Sequence, residues 1–437
     1  MNLGLGYLVE VYVGSARKAM KRANNINPAM LVWARETAGY TLEEAAGKLR
    51  LFSSGKGTAE DKLRALEAGD VKPTRQQLMK ISEAYRRPLT AFYRNNPPPK
   101  GERGEDFRTL QGGVSRQEDG LLEALLRDIR VRQDLVKSLL EDDEDFETLP
   151  FIGAVTIHQG ISHSVDYIRQ LLGVDDVVSL QHGKRTPDEF FSDLRNRVEA
   201  LGVFVVLAGN LGSHHSNISE RVFRGFAISD EIAPFIVIND QDAKAARSFT
   251  LIHEFAHILL GASGVSATPV ADARTDPLAI VERFCNDVAG EFLLPESTLS
   301  RLPSTISELD IIETIVADIS SRRKISEAMV AYRFWRTGRI SVEAYRELAS
   351  RFAARWQRLK QQAREERQPD QRGPSYYTVR KHKLGNALIE LVNRTLRANE
   401  LTHTKAAKML GVSTSSVEPL LRRSSGMENT MFRSGGR

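Results

Sequence analysis

Two histidines lie four residues apart in the apolar segment FTLIHEFAHILLG (249–261), and a glutamate directly follows the first of them. No Pro or Gly interrupts the segment before Gly261, so the sequence predicts a buried helix that ends at a glycine. At 3.6 residues per turn, His253 and His257 share one helix face. Glu254, rotated by about 100°, lies beside whatever the histidines hold. This spacing predicts a metal site rather than two ordinary core histidines.

A second helix with one polar face is predicted downstream, in DPLAIVERFCNDVAGEFLLP (276–295). A catalytic zinc site needs three protein ligands and one open position, and Glu282, an early polar residue of this helix, can supply the third ligand. Asn286, four residues later on the same face, can bond the far nitrogen of a ligand histidine. Glu291 is the alternative third ligand. These residue types predict one Zn²⁺ per chain, although a site of two histidines and a carboxylate also accepts Mn or Fe.

The same residues suit hydrolysis of a peptide bond. A zinc ion lowers the pKa of a coordinated water towards ~7 and polarises a carbonyl group. Glu254 is the predicted catalytic base, which takes the proton of that water and later delivers it to the leaving amine. An extended substrate is expected along an exposed strand edge such as RGFAISD (224–230). His214, His215 and Tyr332 are candidates, by residue type only, for stabilising the oxyanion.

The segments that must position these residues have the patterns of helices and short strands. An amphipathic helix is predicted over 119–141, and SVDYIRQLLGV and TPDEFFSDLRNRVEALG are predicted as further helices. Three apolar runs, VFVVLAG, FRGFAISD and APFIVIND, are predicted as strands, and the last leads into the histidine helix. We therefore expect an α+β, mostly helical fold, with a small sheet and the histidine helix in a zincin-like peptidase domain between two helical ends.

Several motifs together resemble the ImmA/IrrE family of metallo-endopeptidases. They are HEFAHILLG, followed by VERFCNDVAGEFLLP and preceded by the strand FIVIND, and the resemblance covers roughly residues 150–350. It implies that His253, His257 and Glu282 hold zinc, and that Glu254 is the catalytic base. In that family, fusion to an N-terminal Xre-type domain is a familiar arrangement.

Charge is distributed unevenly along the 437 residues, whose net charge is +5. Residues 1–100 hold 17 basic against 9 acidic residues, and residues 351–437 hold 18 against 7, whereas the segment between them holds 26 against 40. Basic ends around an acidic middle indicate that the ends contact DNA phosphates. Solvated charged faces are the alternative interpretation.

The basic N-terminal segment 27–95 resembles the Xre-type helix-turn-helix domain of phage-like repressors. NPAMLVWARETAGY begins with a cap and a proline, and TLEEAAGKL begins with a capping box. One departure is RLFSSGKGTAED (50–61), which replaces the short turn before the recognition helix. Lys62 and Arg64 are the candidate DNA contacts of that helix. Because a displaced helix could not place its first residues on base edges in the usual way, dimerisation or docking is the alternative role.

The basic C-terminal end carries ELTHTKAAKMLGVSTSSVEPLLRR (400–423), which is similar to a helix-turn-helix with the expected short turn. Lys405 and Lys408 are its candidate DNA contacts. A purely structural helical hairpin is the alternative.

Composition shifts predict the organisation of the chain. The predicted parts are an N-terminal extension (1–26), the Xre-type domain (27–95), a linker (96–118), the zincin-like peptidase domain (119–350), a second linker (351–375), the helix-turn-helix-like region (376–423) and a disordered tail (424–437). Because every proposed ligand lies between residues 253 and 282, removal of residues 374–437 is expected to flatten the salt dependence of DNA binding and to leave cleavage intact.

The predicted function is a zinc-dependent endopeptidase that cuts a regulatory protein such as a repressor, brought to DNA or to its substrate by the helical ends. A homodimer is compatible with this function. The alternative is a DNA-binding regulator or antitoxin-like protein whose zincin domain is a binding scaffold. One cysteine, no signal-peptide pattern and no apolar run of 18 residues predict a cytoplasmic protein that does not enter a membrane.

Overall fold

The computed structural model divides the chain into two compact units, Met1–Pro99 and Lys100–Arg437. The structure describes residues 22–52, 57–98, 115–143, 146–213, 216–266, 277–300, 302–303, 305–366 and 374–425. Most of the N-terminal extension, most of the linker 96–118, nearly all of the tail 424–437, and both His214 and His215 lie outside the described residues.

The first unit is a cluster of short helices: α1 (Pro28–Thr37), α2 (Leu42–Lys48), α3 (Ala59–Ala68), α4 (Arg75–Tyr85) and a 3-10 helix (Leu89–Tyr93). Each α-helix follows a capping side chain that accepts a hydrogen bond from an N–H group of the first turn; the caps are Asn27, Thr41, Thr58 and Thr74. Apolar residues one turn apart, such as Met30 and Ala34, meet in a buried core.

The second unit is mostly helical around one small sheet. Its α-helices are α5 (Arg116–Glu141), α6 (Gly160–Leu172), α7 (Val177–His182), α8 (Pro187–Ala200), α9 (Arg247–Leu259), α10 (Pro277–Leu293), α11 (Leu309–Arg323), α12 (Glu327–Arg336), α13 (Val342–Glu365), α14 (Tyr376–Leu384), α15 (Asn386–Arg397), α16 (His403–Leu410) and α17 (Thr414–Ser425). Short 3-10 helices cover Ile157–Gln159, Lys244–Ala246 and Glu296–Leu299. The strands are β1 (Phe204–Leu207), β2 (Gly225–Ile228), β3 (Phe235–Ile238) and β4 (Gly264–Ser266). The prediction of a mostly helical α+β fold is confirmed at this level.

The four strands form one mixed sheet in the order β1-β3-β2-β4. Strand β1 runs parallel to β3, and β2 is antiparallel to both β3 and β4. The segment 224–230 was expected to offer an exposed edge, and this prediction is wrong because its strand β2 is hydrogen-bonded on both sides. The sequence missed β4, a three-residue strand directly after the histidine helix, because so short a segment shows no alternation of apolar and polar residues.

Alternate residues of the sheet face two separate cores. One face, here called the α9 face, packs against α9 and carries Val205, Leu207, Ala227, Ile236 and Ile238. The opposite face, here called the C-terminal face, carries Phe204, Val206, Phe226, Ile228, Phe235 and Val237. Because side chains alternate along a strand, β1, β2 and β3 each contribute to both hydrophobic clusters.

The C-terminal helices cover the C-terminal face together with α5. Leu388 and Val392 of α15 and Met409 of α16 belong to the same buried cluster as the strand residues of that face. The C-terminal segment is therefore part of the same hydrophobic core as the sheet. Its removal would expose the C-terminal face to water, so the structure argues against the expectation that removal of residues 374–437 leaves cleavage intact.

The predicted linker 351–375 is also corrected over its first half. Helix α13 continues to Glu365, and Phe352 is buried one turn after the buried Leu348. The segment was misinterpreted because its other faces are densely charged, as expected of a long helix with only one buried stripe.

A buried ion pair on α8, here called the helix joint (Arg195 and Glu199), fastens the C-terminal helices to this core. The two side chains bond each other over 3.1 Å and are 6% and 4% exposed. Arg195 donates to the carbonyl of His382 (2.5 Å) at the end of α14, and Glu199 accepts from the N–H of Asn386 (2.9 Å) at the start of α15. The joint therefore satisfies backbone groups at two helix ends at once.

Gly385, between these two helices, makes the close approach possible. Its φ is +84°, in the left-handed region, and a Cβ there would lie 2.0 Å from Glu199 Oε1 and 2.7 Å from the carbonyl oxygen of Val205. Any side chain at this position would collide with the helix joint and with strand β1.

In the part of the chain that the structure describes, no helix is both long enough and apolar enough to cross a lipid bilayer.

Candidate metal centre

Helix α9 lies on the α9 face of the sheet and buries both of its histidines and the glutamate between them. His253 and His257 are each 3% exposed, and Glu254 is 0% exposed. The end of the helix is fixed by the preceding chain, because the N–H groups of Gly153 and Val155 donate to the last carbonyls, those of Ile258 (3.1 Å) and Leu259 (2.9 Å). The polar side chains are thus carried by a buried helix whose last carbonyls are engaged by main-chain hydrogen bonds.

Helix α10 packs against α9 and brings Glu282 to the two histidines. The Nε2 atoms of His253 and His257 lie 3.1 Å apart. The carboxylate oxygens of Glu282 lie 3.4 Å from His253 Nε2 and 3.1 Å from His257 Nε2. These three residues, here called the metal cluster, are the group of His, Cys, Asp or Glu residues among the described residues that could together hold a metal ion.

The separations within the metal cluster fit a bound ion. Donor atoms about 2.0–2.1 Å from a tetrahedrally coordinated ion lie roughly 3.3 Å from one another. The two Nε2 atoms lie 3.1 Å apart, and each has a different oxygen of Glu282 at a similar distance, Oε1 at 3.1 Å from His257 and Oε2 at 3.4 Å from His253. The Glu282 side chain is 33% exposed, so the cluster opens to solvent on the side of the carboxylate. The donor set and its spacing therefore suit a divalent cation with room for a further ligand.

Local electrostatics favour an ionised carboxylate in the metal cluster. Burial disfavours the charge of Glu282, but hydrogen bonds with His253 and His257 outweigh it and hold the pKa of that carboxyl well below its usual range. Burial lowers the pKa of His253, which favours the neutral imidazole that binds metals. At His257 burial is outweighed by Cys285 and Glu282, and the pKa is raised.

Two neighbouring residues of α10 contact the ligand histidines. The Asn286 side chain hydrogen-bonds to His253, and the Cys285 side chain hydrogen-bonds to His257. Burial raises the pKa of the Cys285 thiol, and the neighbouring His257 acts in the opposite direction. Sequence reasoning singled out Asn286 but missed Cys285, although its position three residues after Glu282 places it on the same side of the helix.

The alternative third ligand, Glu291, is engaged elsewhere. Its carboxylate forms an ion pair with Arg333 of α12 and accepts a hydrogen bond from the N–H of Glu296 over 3.2 Å. Tyr332, a candidate for stabilising the oxyanion, donates its hydroxyl to Asp287 over 2.8 Å. The structure thus gives both residues partners outside the metal cluster.

The candidate DNA contacts at the two ends differ in their surroundings. Lys62 of α3 donates to the carbonyl of Phe52 over 2.6 Å, and Arg64 lies 3.1 Å from the carboxylate of Asp61. Lys405 and Lys408 are exposed on α16, and neither has an acidic partner among the residues that the structure describes. Arg64 is exposed as well but lies beside an acidic partner, whereas no ion pair engages Lys405 or Lys408 within the described residues.

Comparison with known proteins adds one match. Residues 199–334 match the model of a peptidase family described as the IrrE N-terminal-like domain. This segment is a metallopeptidase-like domain. It runs from the end of α8 into α12 and contains the whole metal cluster together with Glu254, whereas the N-terminal unit and the C-terminal helices lie outside it. No curated protein and no solved structure matches the chain significantly.

Proposed function

We propose that the protein is a zinc-dependent endopeptidase that cleaves a regulatory protein, such as a repressor, in the cytoplasm. The observation that carries this proposal is the convergence of two imidazole nitrogens, 3.1 Å apart, and a carboxylate whose two oxygens lie 3.1 Å and 3.4 Å from them, next to the buried Glu254 in the chain. Because the ligand atoms are spaced as they would be around an ion, the cluster is better suited to metal binding than to a structural hydrogen-bond network.

His253, His257 and Glu282 would hold the ion, through two imidazole nitrogens and a carboxylate. Two imidazoles and one carboxylate are the protein ligands of many catalytic zinc sites. When bound, zinc supplies Lewis-acid chemistry, since it lowers the pKa of water and polarises a peptide carbonyl. Asn286 and Cys285 would keep the imidazole rings in position through their hydrogen bonds.

Glu254 would act as the general base. It follows His253 directly on α9, and its side chain is fully buried, so little water screens its charge. Its role is to accept a proton from the attacking water and to deliver it to the leaving amine.

Strand β4 would bind the substrate backbone. It is the terminal strand of the sheet on the side of β2, so one of its edges has no strand partner among those described. An extended peptide could add there by main-chain hydrogen bonds. This assignment replaces the one made from sequence, because the internal strand β2 has no such edge.

Lys405 and Lys408 would contact DNA phosphates and bring the peptidase to chromosome-bound substrates. Their exposure and the lack of acidic partners in the described residues support this part of the proposal. The alternative role for the N-terminal unit, docking or homodimerisation, agrees with the engagement of Lys62 and Arg64 within their own unit.

Metal removal and replacement tests the proposed activity. The full chain is stripped with a chelator, and cleavage of a mixed peptide library is followed by mass spectrometry before and after addition of Zn²⁺, Mn²⁺ or Fe²⁺. We expect no cleavage by the stripped protein and recovery at one Zn²⁺ per chain. Cleavage that persists in the stripped protein would contradict a metal-dependent peptidase, and better recovery with Mn²⁺ or Fe²⁺ would contradict zinc.

A further inference from the structure

Gly225 begins strand β2 and lies against helix α9 on the α9 face of the sheet. It pairs with Ile238 of β3 on one side and with Ser266 of β4 on the other. Thr250 and Glu254, one helical turn apart on α9, face it from above. A glycine in a strand interior often marks a place where another group approaches closely.

The approach at Gly225 leaves no room for a methyl group. A Cβ atom at this position would lie 2.7 Å from Glu254 Oε1, 3.0 Å from Glu254 Cγ and 2.6 Å from Thr250 Cγ2. Carbon atoms do not approach other heavy atoms this closely without displacement. The Glu254 carboxylate therefore occupies space that exists only because residue 225 has no side chain.

The requirement is local to this position. Ala227, two residues later on the same face of β2, is fully buried and carries its methyl group within the core. The backbone of Gly225 is outside the left-handed region, so alanine would not strain the main chain there. The conflict is with two side chains of α9 and not with the fold of the strand.

We propose that Gly225 is a positioning residue for Glu254: it holds the carboxylate of the general base against strand β2, at the position from which it serves the metal cluster. The inference rests on the proposed function as far as the role of Glu254 is concerned. The geometric part, close contact between residue 225 and the carboxylate, stands by itself. None of the three metal ligands is among the atoms that a Cβ at 225 would meet most closely.

The first experiment separates positioning from stability. A Thr250→Ser background removes Cγ2, so the added methyl group of Gly225→Ala then conflicts mainly with Glu254. We expect Gly225→Ala in this background to retain one metal per chain and its KM, and to lose about 100-fold in kcat, the effect of a misplacement of about 1 Å. A kcat within twofold of the background value would overturn the proposal.

Gly290→Ala is the matched control. Gly290 is buried on α10, and its Cβ would lie 2.6 Å from Cδ of Arg333, a flexible side chain outside the metal cluster. We expect this variant to lose some stability and to keep its kcat. An equal loss of kcat in both variants would show that the effect at position 225 is not specific to Glu254.

A second readout does not depend on cleavage. Glu254→Ala removes Cγ and both carboxylate oxygens, so Gly225→Ala should lower the urea midpoint of unfolding in the Thr250→Ser background and much less when Glu254→Ala is also present. Equal shifts in the two backgrounds would overturn the close contact itself. Coupled shifts in a metal-loaded protein that cleaves no peptide would uphold the contact and reject the peptidase.

Discussion

Two buried charged clusters in the second unit are built from similar residues and differ in where their polar atoms point. In the metal cluster, His253, His257 and Glu282 direct their donor atoms at one another across 3.1–3.4 Å. In the helix joint, Arg195 and Glu199 direct theirs at main-chain groups of α14 and α15. Side chains that converge on a common point indicate a ligand, whereas side chains that satisfy helix ends indicate a structural role.

The largest expected effect is a loss of cleavage at the metal cluster while the protein stays folded. Glu254→Gln removes the proton acceptor but leaves the ligands and the volume of the side chain, so we expect cleavage to fall by about 10²- to 10⁴-fold. Metal content and the urea midpoint should stay at the wild-type level. Peptide cleavage is measured beside metal analysis on the same preparation, and a variant as active as wild type would remove Glu254 from the mechanism.

At the helix joint we expect a substitution to reduce stability and to leave metal binding unchanged. Glu199→Ala leaves Arg195 buried without its counter-charge and the start of α15 without its acceptor, which should cost about 3–5 kcal/mol in the free energy of unfolding. Molecules that remain folded should bind metal as wild type does. Chemical denaturation checks the first expectation and metal analysis of the folded fraction the second.

Arg322→Ala on α11 is the control for the helix joint, because its ion pair with Asp318 is exposed at the surface and should contribute little to stability. If Glu199→Ala destabilised the protein no more than this control, the helix joint would not be a principal attachment of the C-terminal helices.

Loss of a ligand should weaken metal binding, and cleavage with it, without unfolding the protein. Glu282→Ala removes one of three proposed ligands, and we expect metal affinity to fall by more than about 100-fold, beyond the usual effect of residues that only support ligands. Glu291→Ala, whose carboxylate pairs with Arg333, should keep its metal. Competition with a chromogenic chelator measures both, and the reverse order of effects would reassign the third ligand.

The smallest expected effect is on DNA binding, and it concerns exposed charges rather than buried ones. Lys405→Ala together with Lys408→Ala should reduce the log–log salt slope of DNA binding by about 1.8, because each phosphate contact contributes roughly 0.9. Lys62→Ala with Arg64→Ala should leave the slope unchanged, since both groups already have partners in their own unit. Filter binding between low and moderate salt measures these slopes. Equal slopes for all variants would show that the C-terminal helices do not contact DNA through these lysines.

The sequence predicted the contacts between residues that lie within one helix, but not the contacts between residues far apart along the chain. Helical periodicity alone selects His253 and His257 and places Glu282 with Asn286 on one face, and the structure brings these residues together. The helix joint was not visible, because its partners lie 187 residues apart and bond through main-chain atoms that any sequence possesses. The same applies to Gly225, whose contact with Glu254 depends on how α9 packs across the sheet.

The organisation of the C-terminal part was misjudged for a different reason. High charge and Pro-Gly content between α13 and α14 indicated a linker, and a helix-turn-helix pattern indicated a separate module. Leu388, Val392 and Met409 have the spacing of an ordinary amphipathic helix pair, and periodicity does not say which surface such a pair covers. Here the pair covers the sheet itself.

The helices that the helix joint holds are synthesised last, and this affects when the sheet can fold during translation. Asn286, the last residue of the metal centre, precedes Ser425 at the end of α17 by 139 residues. At about 5–20 residues per second, a ribosome needs roughly 7–28 s to synthesise that stretch. Helices α14–α17, which cover the C-terminal face of the sheet, are complete only at the end of this time. We therefore expect the sheet, and with it the metal cluster, to reach its native packing only after α17 has been synthesised, which protease protection of chains stalled before and after Ser425 would measure.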